Sequence, residues 1–310
     1  MSQLDSSKTV DPFGEVNVFN EPDGTIRVKA IILMRPQVEG AQTGLAIDGS
    51  NSMTQNFGVS GSVSSLFGTP NNLVQPVART MAKYLANFDS DGETSVIYWA
   101  CGVGGGEIQE LGEMSAEKAG LFEFSSPSKL GTGTQLLPAI KYFTETKFPS
   151  APWAIFVFIT DGAIEDLQNV KAYTFKLAED ISQGKRNYTK FVLIGLGEEA
   201  ERNKFQMEEL DDINYGGLRD KNGDEIDLWD HKMAKDMKKL EEIFAEAVSD
   251  RMILAPSAII TDSNGNAVQP KGRASYADGL PALLEFTMPS GSHSFTLILP
   301  TGKTITQQIM

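Results

Sequence analysis

The stretch WAIFVFITDG, residues 153 to 162, decides the fold, because an unbroken apolar run here ends abruptly in Thr-Asp-Gly. A short apolar run bounded by turn residues is typical of a strand that is buried on both faces, as in a parallel sheet. The runs GLAID (44 to 48), SVIYWA (95 to 100) and KFVLIG (190 to 195) have the same character. We therefore expect these four runs to be the central strands of one sheet.

Between these runs the apolar residues recur at helical spacing, every three or four positions. The segment from Thr134 to Thr146 also has a helical character. Three further predicted helix faces, the first on a helix that starts near Pro70, are Leu73, Val77, Met81 and Leu85; Val170, Tyr173, Leu177 and Ile181; and Met233, Met237, Leu240, Phe244 and Ala247. Strands that alternate with helices predict a doubly wound, mostly parallel α/β domain over residues 41 to 250.

The two ends of the chain have a different pattern, in which apolar and polar residues alternate as in half-buried strands. Residues 15 to 35 alternate around a turn, and four more alternating segments follow Arg251, separated by turn signals such as Asn264-Gly265. Four strands alone form a marginal sheet. We therefore predict that residues 1 to 40 and 251 to 310 together build one small all-β sandwich into which the α/β domain is inserted.

Composition narrows the functional classes. A net charge of −14 without a basic cluster argues against binding to nucleic acid or to an anionic membrane surface. Two histidines leave little room for zinc sites or catalytic triads, and the single Cys101 cannot form an intrachain disulfide. The polar first residues and the absence of an apolar run of about 20 residues predict a cytoplasmic protein without a membrane-inserted segment.

Three polar clusters stand at predicted strand ends or helix starts. They are Asp48-Gly49-Ser50-Asn51-Ser52, Gly131-Thr132-Gly133-Thr134 and Thr160-Asp161-Gly162. Each alone has an ordinary structural explanation as a cap or a turn. Because ligands of open α/β sheets bind beyond the carboxyl ends of the strands, the three clusters in this order predict one shared site.

These clusters resemble the metal-ion-dependent adhesion site (MIDAS) of the von Willebrand factor type A (vWA) family. The family pattern D-x-S-x-S, then Thr, then Asp is matched by Asp48, Ser50, Ser52, Thr134 and Asp161. The resemblance covers residues 41 to 250. Within this range, segments such as FVLIGLGE (191 to 198) and DLWDHKMAKDM (227 to 237) are similar to a copine-like and bacterial tellurium-resistance-associated subgroup of the family. The sequence departs from the family at Asn51, where the D-x-S-x-S motif most often has Gly between its two serines.

The resemblance implies a bound Mg²⁺, with Mn²⁺ as a substitute and Ca²⁺ less favoured. Mg²⁺ takes six oxygen ligands at about 2.1 Å and keeps several waters. Ser50, Ser52 and Thr134 would offer neutral hydroxyls, while Asp48 and Asp161 would act partly through water. Such a site leaves the cation short of negative charge, so that an Asp or Glu of a protein partner can complete it.

The resulting prediction is a metal-dependent, non-enzymatic protein-binding module, an adaptor in a bacterial stress-response assembly as the subgroup implies. One alternative is a structural assembly protein in which the metal only stabilises the fold. A second is a Mg²⁺-dependent phosphoryl-transfer enzyme with Asp48 as nucleophile, against which position 50 carries Ser instead of Asp.

Other polar or glycine-rich segments receive structural interpretations. The acidic segment Asp89 to Glu93 lacks a complete EF-hand loop and is predicted to be a solvated turn. Gly102 to Gly106 is predicted to be a hairpin connection, Trp229 a packing aromatic and His231 a surface imidazole.

Overall fold

The computed structural model describes residues 2–4, 8–32, 34, 41–59, 71–220, 225–235, 253–277 and 279–309. Strands occupy β1 (Ser2–Gln3), β2 (Phe13–Asn20), β3 (Ile26–Ile32), β4 (Ala41–Asp48), β5 (Glu93–Cys101), β6 (Glu107–Ser115), β7 (Trp153–Thr160), β8 (Tyr188–Gly195), β9 (Trp229–Met233), β10 (Ile253–Ala255), β11 (Ile259–Asp262), β12 (Gln269–Pro270), β13 (Leu280–Pro281), β14 (Leu283–Met288), β15 (Ser294–Ile298) and β16 (Thr304–Gln308). Helices occupy α1 (Val74–Phe88), α2 (Ala116–Leu121), α3 (Leu137–Lys141), α4 (Leu167–Ser182) and α5 (Gly197–Asp211). The chain divides into two compact units, residues 40–238 and residues 1–39 with 239–310.

A six-stranded sheet in the order β6-β5-β4-β7-β8-β9 forms the centre of the 40–238 unit. Four of its neighbouring pairs are parallel, and the edge pair β5–β6 is antiparallel. Every residue of β7 is buried, as its uniformly apolar sequence predicts. The glycines at 102 to 106 form the hairpin connection between β5 and β6, as the sequence predicts.

Helix α1 begins at Val74 and buries only part of the predicted face. Met81 and Leu85 are buried as predicted and Val77 is partly buried, while Leu73 stands before the helix with 44% of its surface exposed. Helix α4 buries Val170, Leu177 and Ile181 of the predicted face, whereas Tyr173 is only partly buried. The position of Leu73 leaves an apolar side chain at the surface that the helical pattern placed in the core.

The predicted helix from Thr134 to Thr146 is shorter and less regular in the structure. It consists of α3 followed by a π-helical turn, Tyr142–Lys147. Within that turn Phe143 stacks on Phe156 of β7 with 4.6 Å between the ring centroids. The π-helical turn therefore places an aromatic ring directly on the central sheet.

Substitution of Gly44 by Ala is expected to destabilise the 40–238 unit by about 1 to 3 kcal/mol, the usual cost of overpacking a core. A Cβ at Gly44 would lie 2.5 Å from Cε1 of Phe143, which is itself fully buried. Chemical denaturation measures the effect. Gly106→Ala is the matched control, because its added Cβ would meet nothing nearer than Oε1 of Gln135 at 3.7 Å. Equal stability of both variants would contradict the packing argument.

The unit of residues 1–39 and 239–310 consists of three antiparallel sheets among its described residues, in the orders β1-β2-β3-β14-β12, β10-β13 and β11-β15-β16. Strand β14 pairs with β3, so segments from both ends of the chain share one sheet. Phe295 of β15 makes edge-to-face contacts with Phe13 of β2 and Phe286 of β14, each at 5.2 Å between centroids. These aromatic contacts pack the three-stranded sheet on the five-stranded one.

The predicted fold class, a doubly wound and mostly parallel vWA or Rossmann-like sheet with one small sandwich, is wrong for the chain as a whole. Eight of the twelve strand pairings among the described residues are antiparallel. Even the six-stranded sheet is mixed, because β6 returns antiparallel to β5 through a short hairpin. The chain therefore has a mixed α and β fold in which antiparallel pairing predominates.

The predicted helix face that begins at Met233 is also corrected, since Met233 is the last residue of strand β9. The remaining positions of that face, from Met237 to Ala247, lie outside the described residues. The same holds for Pro70 as a helix start.

Candidate functional site

The two acidic candidate residues, Asp48 and Asp161, lie at the same edge of the central sheet. Asp48 is the last residue of β4, and Asp161 directly follows β7. The two strands are parallel neighbours, with Ile47 opposite Ile159. Because the carboxyl ends of parallel strands meet at one edge, this register brings the two acidic side chains close together.

Asp48 is completely buried, and both of its carboxylate oxygens accept hydrogen bonds. One oxygen accepts from the backbone N–H of Ser50 at 2.8 Å, and the other accepts from the Thr160 hydroxyl at 2.8 Å. Burial, and after it the negative charge of Asp161, raises the pKa of Asp48 to about 7. The carboxyl group is thus held rigidly, with its charged form disfavoured while no cation is beside it.

Asp161 is also completely buried, but neither of its carboxylate oxygens has a hydrogen-bond partner. Burial raises its pKa above the usual value, and the nearby Ser52 hydroxyl opposes this rise without reaching hydrogen-bond geometry. Buried polar atoms without partners are rare in native proteins and call for an explanation such as an ion. The unpaired oxygens of Asp161 therefore fit a site for a positively charged group.

Two hydroxyls stand beside these carboxylates on the loop after β4. The Oγ atoms of Ser50 and Ser52 lie 2.9 Å apart, Ser50 being buried and Ser52 exposed. Residues Asn51–Thr54 form a short 3-10 helix, which turns the loop so that the serines at positions i and i+2 face one another. The arrangement presents one hydroxyl to the buried acids and one to the surface.

The loop from Gly131 to Thr134 is fastened to the same edge by backbone contacts. Gly131 donates its N–H to the carbonyl oxygen of Gly49 at 2.9 Å and accepts the N–H of Asn51 at 2.9 Å. Thr134 is buried, and its carbonyl oxygen accepts the N–H of Glu165 at 2.9 Å. These contacts join the second polar cluster to the loops that carry the serines and Asp161.

Gly131 is required at this position for a steric reason. A Cβ there would overlap the carbonyl oxygen of Ala100, which is backbone and cannot rotate away. The glycine therefore permits the close approach of the loop to β5 and, through it, the position of Thr134.

Two residues of this edge have roles that the sequence did not reveal. Thr160 orients Asp48, as described above, and the Asp166 carboxylate accepts the backbone N–H groups of Leu136 and Leu137 at 2.9 and 3.0 Å. Asp166 thereby caps the start of α3, the helix that follows Thr134. The sequence carried a signal only for Thr160, which directly precedes the predicted Asp161.

Among the residues that the structure describes, no three His, Cys, Asp or Glu side chains are grouped closely enough to be a metal site by themselves. The five predicted ligands include only two carboxylates, so a cation here would rely on hydroxyl oxygens as well. Hard divalent cations accept such mixed oxygen donors. The donor set and the unpaired Asp161 oxygens fit Mg²⁺.

The structure tests three of the structural interpretations made from the sequence, those of Asp89, Trp229 and His231. The buried carboxylate of Asp89 accepts the N–H of Thr43 at 2.6 Å, so this turn is partly buried instead of solvated. Trp229 is a buried packing aromatic, as predicted. His231 is half-buried, with Nδ1 2.6 Å from the Asp211 carboxylate, so its prediction as a surface imidazole is wrong.

Comparison with known proteins shows no family for this chain. No family model matches it, and no curated protein matches it. Solved structures similar to it include the open conformation of the pilus adhesin SpaC from Lactobacillus rhamnosus GG, with 9% identity, a TM-score of 0.40 and coverage of 96% of this chain and 48% of the adhesin. The PilB minor pilin from Streptococcus sanguinis has 10% identity, a TM-score of 0.42 and coverage of 74% and 76%. The chain spans about half the length of the adhesin.

The predicted membership of the vWA family is corrected accordingly, together with its MIDAS name and its copine-like or tellurium-resistance subgroup. No family model supports that membership. None of the helices in the described part of the chain is both long and apolar enough to cross a membrane. The cytoplasmic location stays a prediction.

Proposed function

We propose that this protein is a metal-dependent protein-binding module whose site at Asp48, Ser50, Ser52, Thr134 and Asp161 holds Mg²⁺, or Mn²⁺ in its place. The observation that carries the proposal is the pair of buried Asp161 oxygens without a hydrogen-bond partner. A divalent cation would supply the missing partner for these oxygens and an open coordination position for a carboxylate of the protein partner.

The remaining residues of the site support this function through their chemistry. Ser50 and Ser52 offer two hydroxyl oxygens 2.9 Å apart, and the exposed Ser52 marks the side from which a partner can approach. Asp48 is buried with both oxygens engaged, which suits a residue that holds the site together better than a nucleophile. The proposed role is therefore binding and not catalysis.

The test is isothermal titration of Mg²⁺ and Mn²⁺ into EDTA-treated protein, compared between wild type and Ser52→Ala. We expect one binding site in the wild type and at least tenfold weaker binding in the variant, because the Ser52 hydroxyl that contacts the metal directly is lost. Asn51→Ala is the matched control, since this exposed neighbour contributes its backbone to the loop contacts described above. Lack of metal binding by the wild type would refute the proposal.

The open coordination position is tested separately with Mn²⁺ as a paramagnetic probe. Addition of millimolar acetate to the Mn²⁺-loaded protein is expected to reduce water-proton relaxation, because the carboxylate displaces a bound water. Unchanged relaxation across the acetate titration would show that the metal is structural and does not receive a partner's carboxylate.

A further inference from the structure

A groove of about 720 Å³ opens beside the candidate site within the 40–238 unit. Ser52 belongs both to the site and to the lining of the groove. The groove and the site therefore form one continuous surface. Its volume is in the range of pockets that enclose several side chains or a small ligand.

The walls of the groove are largely apolar. Leu73 and Val77 come from the start of α1, Leu196 follows β8, and Met233 ends β9. Leu73 is the most exposed of these side chains, and an exposed large apolar side chain that lines a concave surface indicates a binding site more often than an isolated one on a convex surface. A bulky apolar side chain of a ligand would remove this surface from water.

One rim of the groove is acidic. Glu198, Glu199 and Glu201 come from the first turns of α5. Glu199 pairs with Arg202, and Glu201 pairs with Lys235 at 2.6 Å. Glu198 is exposed and has no ion pair with any residue in the described part of the chain. A basic side chain of a ligand would find its counter-charge at Glu198.

We infer that the groove receives an extended protein segment that carries three features: an Asp or Glu for the metal site, a bulky apolar side chain for the groove and a Lys or Arg for Glu198. This inference rests on the proposed function, because the carboxylate is taken up at the metal. The metal site by itself selects only the carboxylate, and the groove selects the apolar and basic side chains of the partner. Recognition of all three features would distinguish this segment from the many exposed acidic residues of other proteins.

The probe is an array of blocked nine-residue peptides in which Asp, Leu and Lys occupy varied spacings in a Gly/Ser background. The Mg²⁺-loaded protein is expected to bind a subset with a preferred spacing. Within that subset, replacement of Asp by Asn or addition of EDTA should abolish binding, and replacement of Leu by Ser should weaken it about tenfold. Replacement of Lys by Gln should weaken binding severalfold.

The matched variants are Leu73→Glu and Leu121→Glu. Leu73 precedes α1 and is partly exposed, so that a charge is tolerated there, and Leu121 is an exposed leucine of α2 that does not line the groove. We expect Leu73→Glu to lose peptide binding at least tenfold with unchanged Mg²⁺ titration. Leu121→Glu should behave as the wild type in both measurements.

The two levels of the proposal fail in different ways. Loss of Mg²⁺ binding in the wild type refutes the proposed function and this inference with it. Normal Mg²⁺ binding with no peptide bound, or with peptide binding that is insensitive to the Leu position and to Leu73→Glu, refutes the groove as the partner's binding surface and leaves the metal site standing.

Discussion

Addition of Mg²⁺ to the EDTA-treated protein is expected to stabilise the 40–238 unit by about 2.7 kcal/mol when the metal is present at 100 times its dissociation constant. For a unit of this size, this corresponds to a rise in the thermal midpoint of roughly 5 to 10 °C. The physical reason is that the native state alone holds the two buried carboxylates in position to interact with one cation. Differential scanning calorimetry with and without Mg²⁺ measures the rise.

Asp161→Asn is expected to lose most of this gain, because the variant has the same shape but lacks the charge that the cation neutralises. Asp212→Asn is the matched control, since this acidic residue is exposed at the end of α5 and lies apart from the site. A midpoint that rises equally in wild type and Asp161→Asn would show that Mg²⁺ acts elsewhere on the protein.

Asp48→Asn is expected to stabilise the metal-free protein at pH 8 by up to about 4 kcal/mol, the second large effect. The folded-state pKa of Asp48 is raised from 3.8 to about 7 by burial and by the charge of Asp161. Each pKa unit corresponds to about 1.4 kcal/mol, so the ionised wild-type carboxyl lowers the free energy of unfolding by about 4 kcal/mol. The side-chain amide of Asn can still accept a hydrogen bond from the Ser50 N–H. Because the amide carries no charge, the variant does not bear the free-energy cost of a buried ionised carboxyl.

The direction of the pH dependence follows from the raised pKa. Below about pH 4 Asp48 is protonated in both the folded and the unfolded chain, and its effect on stability is absent. As the pH rises from 4 to 7 the unfolded chain ionises first, so the wild type loses stability over this window and none further above it. The expected difference between Asp48→Asn and wild type therefore grows from near zero at pH 4 to its maximum near pH 7.

Denaturant titrations in EDTA at pH 4, 6 and 8 measure this difference. Asp89 also has a pKa raised to about 7, mainly by burial, and contributes the same trend in both proteins. The difference between variant and wild type removes that shared contribution. A pH-independent difference would contradict the assignment of the raised pKa to Asp48.

The local elements of the central sheet could be predicted from the sequence because their cause is local. The apolar runs at 153 to 159 and 191 to 195 lie in buried strands of the structure, since every side chain of such a run must leave water. The polar residues at their ends also could be marked in advance, since a polar residue that ends an apolar run lies at the edge of the sheet.

Other features of this region could not be predicted, because they depend on residues distant in sequence. The hydrogen bond from Thr160 to Asp48 joins residues 112 positions apart, and the cap of α3 by Asp166 depends on a loop that follows β7. Leu73 fits the helical period but lies exposed before α1 because the helix begins one residue later. Periodicity identifies a face and does not determine where the helix starts.

The sequence by itself determined where the buried strands of the central sheet run, the amphipathic face of α4 and the polar residues that follow the strands, because hydrophobic burial depends on the order of apolar and polar residues. Only the tertiary structure decided the strand pairings, including the antiparallel return of β6 and the sheet shared by β3 and β14. The tertiary structure also decided that the two carboxylate oxygens of Asp161 have no hydrogen-bond partner. The physical reason is that pairing and hydrogen-bond satisfaction depend on which distant segments meet, and no local pattern of residues encodes that choice.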